Sequence, residues 1–160
     1  MNSLYTHKFK GTLANVISEA CGDLINLRDE LEEWRDSLEE KFSNTPKYEA
    51  VSEAADSLSN IEEPEFDSVI PDREMEYIQR STTKKRFDPG SKARRRDNAV
   101  LMLSEAQAAL EKISADYSSA VESETEEAAE SREAVRDAAE ELKDELTSFI
   151  DEAESAEFEW

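Results

Sequence analysis

From Leu13 to Leu38 the apolar residues fall at Leu13, Ile17, Ala20, Leu24, Leu27, Leu31, Trp34 and Leu38, in alternating steps of four and three. A helix turns once in about 3.6 residues, so this spacing lays one apolar seam along one helical face and excludes a strand over the same span. In heptad register Ile17, Leu24, Leu31 and Leu38 take the a positions, and Leu13, Ala20, Leu27 and Trp34 the d positions. The central seam, Leu24, Leu27, Leu31, Trp34 and Leu38, is narrow and needs another helix to cover it. That requirement predicts a helical hairpin, an oligomer, or both.

The stretch "SNTPKYEA" supplies the stop. Thr45 can cap a new helix with Pro46 at its first position, where the missing N–H costs nothing. Val51, Ala54, Leu58 and Ile61 extend the seam, so residues 1–62 read as an antiparallel helical hairpin. Residues 63–79 carry Pro64 and Pro71 and read as an extended connector, with Phe66, Val69 and Ile70 docked on the hairpin and a short helix over "REMEYIQR". Residues 80–96 are a basic linker and helix start. Residues 97–160 hold no Gly or Pro and read as one long acidic helix or a second hairpin. Their seam runs Leu103, Ala106, Leu110, Ile113, Tyr117, Ala120, then Val121, Ala128, Val135, Leu142, Phe149. The phase slips at Tyr117 to Val121, which makes "SADYSSA" the expected break. With three Gly and four Pro in 160 residues, the expectation is an elongated all-α protein with coiled-coil-like packing.

Charge narrows the function. The net charge is −21, yet eight of the nineteen basic residues lie within 80–96. Between Glu122 and Glu159 sixteen acids face three bases, about one net charge per 4.4 Å of helix axis, against one per about 1.7 Å in duplex DNA. Glu126, Glu127, Glu130, Glu133, Asp137, Glu140, Glu141, Asp144 and Glu145 are the candidate face for a basic partner, unless the acidity is a solvated surface or an adaptation to salt. Lys84, Lys85, Arg86, Lys92, Arg94, Arg95 and Arg96 form a candidate clasp. Arg94, Arg95 and Arg96 stand in the first turns of a helix, where the dipole disfavours cations, so carboxylates of the same assembly are expected to offset them. Nucleic acid held through 80–96 is the less favoured use.

Catalysis finds few reagents. The one histidine, His7, lies in a polar N-terminal stretch, Cys21 adjoins the seam as a packing residue, and there is no zinc-ligand cluster or Gly-rich phosphate loop. No catalytic residue, cofactor or metal is expected. A lone cysteine gives no sign of an oxidising compartment, and no apolar run is long enough for a leader or a membrane span. A cytoplasmic protein that does not meet a membrane is the expectation.

Two resemblances bear on this. Glu30-x-x-Glu33 with Glu53-x-x-Asp56 resembles the paired acidic motifs with which all-α nucleotide pyrophosphohydrolases hold magnesium, but the heptad register turns these side chains mostly to solvent. The run "LRDELEEWRDSLEEKFSNTPKYEAVSEAADSL", residues 27–58, resembles a helical hairpin of small acidic proteins of bacteriophages and mobile elements. That resemblance implies a phage-like origin and a host cytoplasm. As a class such proteins often bind a host or defence protein, sometimes as DNA mimics, while others are assembly or scaffolding factors. The expected function is therefore non-enzymatic binding of a basic host or defence protein by an oligomeric inhibitor or modulator, with scaffolding as the alternative.

Overall fold

The computed structural model describes residues 4–158. Six elements follow in order: strand β1 (Tyr5–Thr12), helices α1 (Leu13–Phe42) and α2 (Pro46–Ser57), strand β2 (Glu74–Ser81), and helices α3 (Lys92–Asp116) and α4 (Glu126–Ser155). Each helix begins on a hydroxyl cap. Thr12, Thr45, Ser91 and Thr125 have extended backbones and accept from Asn15, Tyr48, Arg94 and Ala128 N–H respectively, which satisfies donors that the first turn leaves open.

The α1 seam is buried from Leu13 through Leu31, joined by Val16 and Cys21. Trp34 and Leu38, at the outer end, are partly buried. α2 and α3 both pack on α1. The seam is thus covered within the chain and asks for no second copy. α3 and α4 are antiparallel: the Gln107 side chain donates to Lys143 O at 3.2 Å and Ser114 Oγ to Glu140 Oε1 at 3.0 Å. The helix expected from residue 97 onward is two helices, and α3 ends at Asp116, where the apolar phase slips.

The all-α expectation is corrected by an antiparallel two-stranded sheet, with Phe9 opposite Tyr77 and His7 opposite Gln79. The fold is mostly helical but mixed. "REMEYIQR" is not a short helix, and His7 does not lie in a tail. The physical reason is a period of two. Tyr5, His7, Phe9 and Gly11 alternate with polar residues and meet Ser81, Gln79, Tyr77 and Met75 on the same face, which turns toward α1 and α3. Phe9 stacks on Tyr77 with ring centroids 5.5 Å apart.

β2 is fastened to α3 by one amide. Asn98, 3% exposed, accepts from Arg80 N–H at 2.8 Å and donates to Arg80 O at 3.0 Å. Its own carbonyl accepts from the Gln79 amide at 3.1 Å. The connector between α2 and β2 docks through Ile70, which is buried, and Phe66, which is half-buried, while Val69 is 43% exposed.

Candidate functional site

At about 100° per residue, the nine acidic positions of α4 fall within an arc of roughly 140°. Ala139, Leu142, Leu146, Phe149, Ile150 and Ala153, the buried residues of this helix, occupy the opposite side. Eight of the nine acids are exposed, and Glu145 is half-buried. From Glu126 to Glu145 the stripe is about 28 Å long, one carboxylate per roughly 3 Å. Three bases, Arg132, Arg136 and Lys143, share the span, so its net density is about one charge per 4.7 Å, below that of a duplex. Three of its members have local partners: Asp137 takes Arg136 at 3.0 Å, Glu133 lies 3.9 Å from Arg132, and Glu140 accepts from Ser114.

Beside the stripe runs a groove of about 710 Å³ between the connector and α4. Glu62, Glu63, Glu65 and Asp67 line one wall and Glu141 and Glu145 the other, over a floor that includes Pro64, Phe66, Ile70 and Leu142. Sequence reasoning missed the connector acids. The signal was present in "EEPEFD", but nothing local says that this run comes to lie along α4. Glu63 also accepts from Ser18 Oγ at 2.6 Å, which ties the groove wall to α1.

The basic residues divide into two groups. In the first, Arg95 makes two bonds to Glu30, at 3.0 and 2.6 Å, and Lys92 lies 3.9 Å from the same carboxylate. Arg96 donates through Nη1 to Ala153 O at 3.0 Å and to Ala156 O, and its guanidinium lies over the Phe158 ring. α4 has no basic residue in its last turn, so Arg96 brings a cation to the negative end of that helix dipole from the neighbouring helix. Arg94 donates to Pro89 O at 2.8 Å. In the second group Lys84, Lys85 and Arg86 are exposed, and no carboxylate lies within 4.0 Å of them among the described residues.

The hydrogen bonds from Arg95, with the added charge of Arg95 and Lys92, hold the Glu30 carboxyl below its ordinary value of 4.5. A carboxyl whose folded value is lowered stabilises the fold above its unfolded value and loses that contribution as pH falls through the lowered one. The pair is partly exposed, which limits it to about 1 kcal/mol or less. Glu30→Gln is therefore expected to cost that amount at neutral pH and nothing in strong acid. Chemical denaturation of both proteins across the acid range checks this, and a difference that persists below the lowered value sinks the assignment.

Little else here is reactive. Cys21 is fully buried, and burial followed by the charges of Glu63 and Glu145 pushes its thiol up to about 12, which removes the thiolate at neutral pH. Of the magnesium-like pattern, Glu30 is held by Arg95, while Glu33, Glu53 and Asp56 are exposed. Among the described residues no group of three or more His, Cys, Asp or Glu is placed to hold a metal ion, and no helix is long and apolar enough to cross a membrane. Compared with protein families, curated proteins and solved structures, the chain matches none.

Proposed function

We propose that this protein works without catalysis, as an inhibitor or modulator that seats the acidic stripe of α4 and the adjoining groove on a basic protein surface of the kind that otherwise holds nucleic acid. The observation that carries the reading is the confinement of nine carboxylates to one arc of α4. Packing alone puts charge on the face turned away from the core, but it does not set the sign of that charge. A face of carboxylates with its bases kept to the border suits a cationic groove. Bases at Arg132, Arg136 and Lys143 lie along one border of the arc and leave its centre purely acidic. In this reading the protein acts in the cytoplasm, where its partner meets nucleic acid.

The test uses extract proteins first bound to DNA–cellulose. Wild-type protein is expected to elute a discrete set of basic polypeptides. The combined variant Glu130→Gln, Glu133→Gln, Asp137→Asn and Glu141→Gln should do so at least about tenfold less well at matched concentration. Elution untouched by the four substitutions, or reproduced by polyglutamate of equal total charge, removes the reading.

A further inference from the structure

The segment between β2 and α3 is a built loop. Ser81, fully buried at its base, accepts through its hydroxyl from Asp88 N–H at 2.9 Å and Thr83 N–H at 3.2 Å. Thr82 N–H donates to Asp88 O at 2.7 Å, and Gly90 N–H to the Asp88 carboxylate at 2.9 Å. Gly90 has φ +88, and a Cβ there would stand 2.7 Å from Thr82, so the return of the chain requires glycine. Phe87 packs edge-on against Phe9 and His7, with centroids 5.4 and 5.8 Å away. The backbone that carries Lys84, Lys85 and Arg86 is therefore set, and what remains to be ordered on binding is their side chains.

The Glu126–Asp137 end of the stripe in the same molecule lies far from them. Asn98 and Arg80 join the loop end of the sheet to the start of α3, and Arg96 joins that start to the end of α4. The beginning of α4 lies at the other end of the pair, where Arg132 donates to Tyr117 O. Arg96 and Tyr117 are separated by about 31 Å of helix, nearly four screening lengths at physiological salt. The Lys84–Arg86 loop and the Glu126–Asp137 end of α4 thus lie at opposite ends of the α3–α4 pair, and among the described residues the three loop cations have no carboxylate within 4.0 Å.

We infer that the Lys84–Arg86 loop of one copy docks head-to-tail on the Glu126–Asp137 end of α4 in a second copy, which rests on the reading of that stripe as a binding surface. Charge complementarity selects this occupant. A second copy approached end to end brings its carboxylates to the loop and keeps the remaining acidic surfaces apart. A nucleic acid carries its charge along its whole length and has no less acidic part to turn toward a protein of net charge −21. The contact joins two different patches, so it generates rings or filaments rather than a two-fold pair. It also covers the stripe, and self-association then competes with a foreign basic partner.

A charge swap tests this on the intact protein. The head variant carries Lys84→Glu, Lys85→Glu and Arg86→Glu. The tail variant carries Glu126→Lys, Glu130→Lys and Glu133→Lys. All six sites are exposed, and circular dichroism checks that each variant folds. Wild-type mass by light scattering is expected to rise with concentration at low salt and to fall as salt is added. Each variant alone should associate at least about tenfold more weakly, and an equimolar mixture should recover association. A monomeric wild type at every concentration, or a mixture that stays monomeric, overturns the inference. So does a duplex DNA shift that the head variant loses while the wild type alone remains monomeric. Titration with an arginine-rich peptide separates the two readings: stripe-dependent peptide binding by a monomeric wild type sinks this inference alone, and absence of both sinks both.

Discussion

Asn98→Leu is expected to lower the unfolding free energy by about 2–4 kcal/mol, since it strips Arg80 N–H and Arg80 O of their shared partner inside the fold and each buried group left unsatisfied costs about 1–3 kcal/mol. Leucine has the branched shape of asparagine and is no smaller, so the loss is not a cavity effect. At this chain length the melting temperature should fall by roughly 5–15 °C. Asn98→Asp separates the two bonds: it keeps an acceptor for Arg80 N–H, removes the donor to Arg80 O, and sets a carboxylate against that carbonyl. It should be at least as damaging as leucine at neutral pH and should recover on acidification, when the protonated carboxyl can donate again. Thermal melts of the three proteins at two pH values decide. If Asn98→Leu melts with the wild type, water replaces the amide, and the Gln79 bond to the residue-98 carbonyl with the strand partner suffices to hold β2.

Asn98 also marks where sequence reasoning stopped. The seam of α1, the cap at Thr45 and the break near Tyr117 are local signals, each carried by one continuous stretch of chain, and they can be read directly. The sheet joins Tyr5 to Ser81, and its alternation is weakened on the inner face by His7 and Gly11 in one strand and by Gln79 and Ser81 in the other. Eight residues with only one or two aromatic rings on the inner face resemble a polar tail or a short helix until the two strands are set side by side. The polar residues that hold the sheet, Gln79, Ser81 and Asn98, are buried, and nothing near them in the chain announces it. The acidic stripe was legible because it belongs to one helix. The groove was not, because it needs residues 62–67 brought against Glu141 and Glu145.

Arg96→Leu should cost about 1.5–3 kcal/mol, more than breaking the Arg95–Glu30 pair, although the two arginines stand in the same helical turn. The difference lies in burial and in partners. Glu30 is 41% exposed, and water takes over most of what Arg95 supplies. The Arg96 side chain is only 16% exposed. It gives charged donors to two carbonyls at the end of α4, bonds worth about 1.5–3 kcal/mol, and its stacking on Phe158 adds up to about 1 kcal/mol. Against these stands a few tenths of a kcal/mol recovered when a cation leaves the start of α3. The loss should be local before it is global. Amide exchange at Ala153 and Ala156 should quicken most, as the last turn of α4 frays, while the α1 seam keeps its protection. Arg96→Lys retains the charge but neither the fork nor the flat stack, and should recover about half of the loss. If lysine restores the wild-type exchange pattern, charge alone fastens α4, and the two-carbonyl geometry contributes nothing.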